Sequence, residues 1–85
     1  MKNETRRIEL QNGIIMPYVE VGDEDGIPLL LIHGYTGSWQ VFKPLLHNLP
    51  QSIHAFAMTL RGHGNASRPQ TGYEIEDFAD DILKF

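Results

Sequence analysis

An α/β fold, in which an antiparallel hairpin leads into a mostly parallel sheet with two helices, is predicted by three features of the 85-residue sequence. Residues 7–11 alternate polar and apolar, and β-forming residues return over 14–21, on either side of the turn dipeptide Asn12-Gly13. Residues 27–32 are apolar at every position, the pattern of a strand covered on both faces by helices. Two later segments repeat apolar residues at helical spacing, with a β-rich run at 53–59 between them. The order is therefore β-β-β-α-β-α, with residues 1–26 forming the hairpin and a turn and 27–85 a βαβα unit.

Each element has a local cause. Pro17 brings no ladder donor, so the second strand is expected to bulge there or to be only partly paired on that side. Gly22, Asp23, Glu24, Asp25 and Gly26 make a polar turn before the apolar run. After a loop at 33–38, Trp39, Phe42, Leu45, Leu46 and Leu49 mark the first helix, with Ser38 as its N-cap and Pro50 as its end. Pro44 removes a donor, so the regular part is expected to begin near it. Two strands around a helix imply a right-handed βαβ crossover. Thr71 with Glu74 matches a capping box, and Ile75, Phe78, Ala79, Ile82 and Leu83 form an apolar stripe opposite an acidic, solvated face of Glu76, Asp77, Asp80 and Asp81.

Composition narrows the function. With 41% hydrophobic and 21% charged residues the chain is expected to fold. A net charge of −4 and scattered Lys and Arg speak against nucleic-acid or anionic-lipid partners. The absence of Cys excludes disulfides and thiolate metal sites and fits a reducing compartment, so a cytoplasmic protein is expected. The apolar run at 29–32 is far too short for a membrane span.

The chemistry is concentrated in His33-Gly34-Tyr35-Thr36-Gly37-Ser38-Trp39, a loop placed directly after the apolar strand, where open α/β sheets bind ligands. Taken alone it also reads as an ordinary βα turn, with Gly34 and Gly37 at positive φ and His33 bonded locally. A second block, 60–69, carries Arg61-Gly62-His63-Gly64. It lacks both the Lys-Ser/Thr ending of a phosphate loop and the paired His of a zinc helix, so a structural turn is favoured there.

In this order and spacing the His-Gly loop, the Arg61-Gly62-His63-Gly64 block and the acidic helix from Tyr73 resemble the α/β-hydrolase family over nearly the whole chain. The resemblance implies the truncated N-terminal half of that fold, acting on a small-molecule ester, thioester, amide, epoxide or carbon-halogen bond. It implies that the backbone N–H of Tyr35 is one of two oxyanion donors, with His33, Gly34, Thr36 and Gly37 shaping the loop and Tyr35 and Trp39 as candidate pocket lining. Arg61, Gly62, His63 and Gly64 become a structural turn near the pocket mouth, bonding neighbouring loops. Many relatives carry Asp where this chain has Thr59, which can still supply a turn-type hydrogen bond.

The family's nucleophile sits in a G-x-S-x-G elbow followed by an acid and a His. Ser38, Ser52 and Ser67 lack the flanking glycines, and no residue matches the acid or base, so the 85 residues are expected to be inactive alone. No cofactor or metal is expected; His47 and His54 are isolated and read as structural or solvated. The alternative is a non-catalytic use of the fold as a ligand-binding or scaffold protein. Without a nucleophile strand beside it, the apolar strand becomes a sheet edge, so self-association is expected.

Overall fold

The alternation and the Asn-Gly dipeptide produce the hairpin: β1 (Arg6–Glu9) pairs antiparallel with β2 (Ile15–Val21), Arg6 opposite Tyr18 and Glu9 opposite Ile15. The structure is a computed structural model that describes residues 4–85, so the first three residues of the expected 1–26 unit lie outside it. Gly13 takes φ +87°, and Asn12 accepts the Ile14 N–H through its side chain at 3.1 Å, an Asx turn that closes the connection. Pro17 sits opposite Arg7 without a bulge. The partial pairing expected there is what the strand shows: its register with the next neighbour starts at Tyr18, and Pro17 contributes only its carbonyl, taken by the Thr59 N–H at 2.9 Å.

The apolar run is β3 (Ile27–Ile32), and the second β-rich segment is β4 (Ile53–Met58). They run parallel, Ile27 opposite Ile53 through Ile32 opposite Met58, while β2 pairs β4 antiparallel. The sheet order is β1-β2-β4-β3. Between β3 and β4, Ser38 Oγ caps the Gln40 N–H at 3.2 Å, a 3₁₀ turn covers Trp39–Phe42, and α1 (Lys43–Asn48) follows with Pro44 in its first turn, where a missing N–H costs nothing.

Strand periodicity divides the core between two faces. On one, Val19, Ala55 and Ala57 are buried with Trp39 and Leu46 of the crossover. On the other, Met16 and Met58 are buried with Leu10, Ile14 and Leu60, and Phe78 and Ile82 of α2 (Ile75–Lys84) pack against them together with Phe85, which caps that helix.

Two expectations are corrected by this layering. β3 is not covered on both faces: Leu29 and Leu31 pack against the crossover, but Leu30 is 39% exposed and Ile32 44% exposed. The reason is position, since β3 is the edge strand and α2 reaches only the β1, β2 and β4 part of its face. The α2 stripe is rotated as well. Phe78 and Ile82 pack inward, Ile75 and Leu83 face solvent, and Asp81, assigned to the solvated face, is completely buried. The capping box is one turn later than expected, formed by Glu74 with Asp77 rather than Thr71 with Glu74. Gly72 blocks the earlier start, because it is left-handed at φ +92° and its carbonyl accepts Arg61 Nη1 at 2.9 Å.

Candidate functional site

Because β3 and β4 are parallel, the loops that leave them lie at the same end of the sheet. The loop after β3 closes as a tight turn: the Gly37 N–H donates to the Gly34 carbonyl at 3.0 Å, leaving Tyr35 and Thr36 as its central residues. Thr36 has φ +65°, so the turn is of type II with the left-handed residue in third place. The glycines are not the residues at positive φ here, contrary to the expectation for an ordinary βα turn. A Thr carries that conformation, in which a β-branched side chain is strained by about 1–2 kcal/mol.

Among the described residues the Tyr35 N–H donates to no protein acceptor. Tyr35 is 92% exposed and lines a cavity of about 450 Å³ with Thr36, Gly62, His63, Tyr73 and Phe78. Tyr35 therefore supplies both the polar donor and one part of the mostly aromatic wall.

His33 holds the base of the loop. It is buried, with Nδ1 2.7 Å from the Gly34 carbonyl and Nε2 3.0 Å from the Leu60 amide. Burial pushes its pKa below the ordinary histidine value; the Gly34 carbonyl opposes that shift and the nearby His63 adds to it. Trp39 lies in the core beneath, 7% exposed, and its N–H donates to Thr59 Oγ1 at 3.0 Å. Thr59 thus supplies a hydrogen bond as anticipated, but it ties together the two loops rather than closing a turn of its own.

In the loop after β4, Gly62 at φ +77° brings the backbone against the Tyr73 ring, where an added Cβ would fall 2.6 Å from Cε1. Gly64 at φ +46° approaches Thr59 in the same way. Arg68 ties the loop to itself by donating to the carbonyls of Gly62 and Gly64 at 3.0 and 2.7 Å. His63 bonds the Arg61 carbonyl at 3.0 Å and stacks near His33, ring centroids 4.8 Å apart.

Arg61 does more than bond a neighbouring loop. Its guanidinium meets Asp81 in a fork, Nε to Oδ2 at 2.7 Å and Nη2 to Oδ1 at 2.6 Å, with side chains 9% and 0% exposed. The Asp81 hydrogen bond raises the Arg61 pKa further, so the group stays charged. Asn12 adds a bond to Asp81 Oδ1 at 2.9 Å, which joins the hairpin turn, the loop after β4 and α2 at one buried point. On the exposed side, Lys84 and Asn12 hold the Asp80 carboxyl below its usual range.

The remaining histidines lie apart from the site. His47 is exposed on α1, and His54 Nε2 bonds Glu20 Oε2 at 2.5 Å across the sheet. Among the described residues no group of three His, Cys, Asp or Glu is placed to hold a metal, and no helix is long and apolar enough to cross a membrane. Sequence reasoning missed Tyr73 and Phe78 as cavity lining, and Asp81 as the partner of Arg61. Nothing local marks them, because each meets its partner only through the fold.

A sequence model described as the alpha/beta hydrolase fold matches residues 27–85. Over 65 residues the chain is 42% identical to 2-(acetamidomethylene)succinate hydrolase of Mesorhizobium japonicum, covering 75% of this chain and 23% of that protein. It is 35% identical over 71 residues to a soluble epoxide hydrolase of a Corynebacterium species, covering 84% of this chain and 24% of that protein. The crystal structure of E-2-(acetamidomethylene)succinate hydrolase superposes with a TM-score of 0.88 at 36% identity, over 98% of this chain and 30% of that one. The chain thus spans about a quarter of the length of the relatives it matches.

Proposed function

The chain belongs to the α/β-hydrolase fold family, and from that premise we propose that it supplies the oxyanion-loop side of a pocket that hydrolyses an ester, thioester, epoxide or related bond in a small molecule. One observation carries the reading: the Tyr35 N–H is left without a protein acceptor in a tight turn at the carboxyl end of parallel strands. Such a donor is held by the backbone before charge develops on the substrate oxygen, so no reorganisation is required at the moment of reaction. The aromatic wall of Tyr35, Tyr73 and Phe78 would receive the apolar part of the substrate.

These 85 residues contain no nucleophile elbow, so turnover requires a longer product that carries one. Position 35 permits a clean test, because proline is favoured as the second residue of a type II turn and deletes only the N–H from the backbone. In a product that bears the elbow, Tyr35→Pro is expected to lower kcat about 100-fold or more on p-nitrophenyl esters or a simple epoxide, with Tyr35→Ala, which loses the same ring but keeps the N–H, far closer to wild type. The 85-residue chain should show no turnover in the same assay. Equal rates for Tyr35→Pro and wild type would remove the oxyanion role. A second reading is binding without turnover; a longer product with an inert residue at the elbow would establish it.

The same reading puts the chain in a cytoplasmic setting, which the lack of Cys suits, and makes the isolated chain self-associate through β3. Support for the latter is the exposure of Leu30 and Ile32 on an apolar edge strand. The average mass in sedimentation equilibrium should rise with concentration, and Leu30→Lys should lower it; a monomer throughout the range would end the idea.

A further inference from the structure

The two ring nitrogens of His33 face backbone groups that leave it a single protonation state. A carbonyl oxygen only accepts and an amide N–H only donates, so Nδ1 carries the proton toward Gly34 and Nε2 offers its lone pair to Leu60. The ring is also packed: a Cβ added at Gly37 would meet His33 Cβ at 3.2 Å and Nδ1 at 3.3 Å, so the turn closes directly on the imidazole. Leu60 itself is buried, and the ring is the hydrogen-bond partner of its N–H.

We propose that His33 is a positioning residue, a neutral Nδ1–H clip that fastens the Gly34 corner to the Leu60 backbone and is opened by protonation at Nε2. An imidazolium has two donors and no acceptor, so two N–H groups would then confront each other across 3.0 Å in a buried place. The turn that presents the Tyr35 amide would lose its anchor to the loop after β4. The surroundings offer a charged ring little relief. From that loop His63 is in ring contact, a like charge when protonated. Tyr35 lies beyond it, with its ring against His63. From α2 the facing residue is the apolar Phe78, while the Asp81 carboxylate is taken up by Arg61.

The direction with pH follows from that environment. Burial lowers the His33 pKa, so the folded chain binds this proton less readily than the unfolded chain. The contribution of the clip to stability is then complete above about pH 6.5 and is lost as pH falls through the lower folded value.

The bearing of the clip on catalysis rests on the oxyanion reading of Tyr35, but the clip itself is tested on the 85-residue chain without any activity. Nitrogen-15 spectra of the ring at neutral pH should show Nδ1 protonated and Nε2 bare. Amide exchange at Leu60, whose N–H the ring accepts, corrected for intrinsic rates, should rise about tenfold as His33 titrates. His33→Gln keeps a carbonyl acceptor with no proton to gain, and should abolish that rise over the same pH range. A ring found with the proton on Nε2, or exchange that ignores the His33 titration, would overturn the proposal. Should His33→Gln fail to fold, the wild-type ring signals decide alone. A confirmed clip beside an unimpaired Tyr35→Pro enzyme would sink only the oxyanion reading.

Discussion

Asp81→Asn is expected to cost about 3–5 kcal/mol of folding stability, because it leaves the Arg61 guanidinium buried without a counter-charge. The side chain keeps its size, so the loss is electrostatic rather than a cavity. For 85 residues, typical stabilities of about 0.05–0.15 kcal/mol per residue make that a large share of the total. The fork holds three segments together, since Arg61 also donates to Gly72 and Asn12 also donates to Asp81. Replacing both partners, as Arg61→Met with Asp81→Leu, should recover most of the loss, because no charge is then left uncompensated and apolar side chains fill the site. Urea unfolding at constant m-value measures both outcomes. A midpoint for Asp81→Asn within error of wild type would show that the pair is not the buried brace that its geometry describes.

Gly22→Ala is expected to lower the thermal midpoint by more than about 12 °C, equivalent to roughly 3 kcal/mol in a domain of this size. Two effects add. Gly22 sits at φ +95°, where an L side chain costs about 1–2 kcal/mol, and a Cβ there would lie 1.8 Å from the Ile53 carbonyl oxygen. That oxygen is backbone at the start of β4 and has no rotamer to move into, so the end of the β2–β4 pairing must shift. Gly13→Ala separates the two effects, since Gly13 is at φ +87° with nothing within 4 Å of its Cβ position. It should lose about 1 kcal/mol only. Equal losses at the two positions would mean that the close approach at Gly22 contributes nothing.

Much of the fold is legible in the chain because its signals are local. The Asn12-Gly13 turn, the restart at Pro44 and the cap at Ser38 each depend on the conformational freedom of one or two residues, and the structure keeps all three. The position of the His33–Ser38 loop follows in the same way, from the gap between an apolar run that ends at Ile32 and a helical pattern that starts at Trp39. Within that loop legibility stops sooner: two glycines suggested where positive φ belongs, and Thr36 takes it, because the Gly37 N–H closes on Gly34 and the loop is clamped on His33.

The sequence by itself determined the order and type of the elements, the hairpin, the parallel βαβ unit and the family to which they belong. The tertiary structure alone decided which polar groups are buried together: Asp81 with Arg61 across 20 residues, Trp39 with Thr59, and His33 with Leu60. It also decided that β3 forms the edge and leaves four of its six apolar residues exposed to solvent. The physical reason is the range of the forces involved. Periodicity and turn preference act between residues a few positions apart, whereas a buried donor or charge takes whichever partner the packed layers bring within 3 Å, and its cost without one is set by the desolvation that packing imposes.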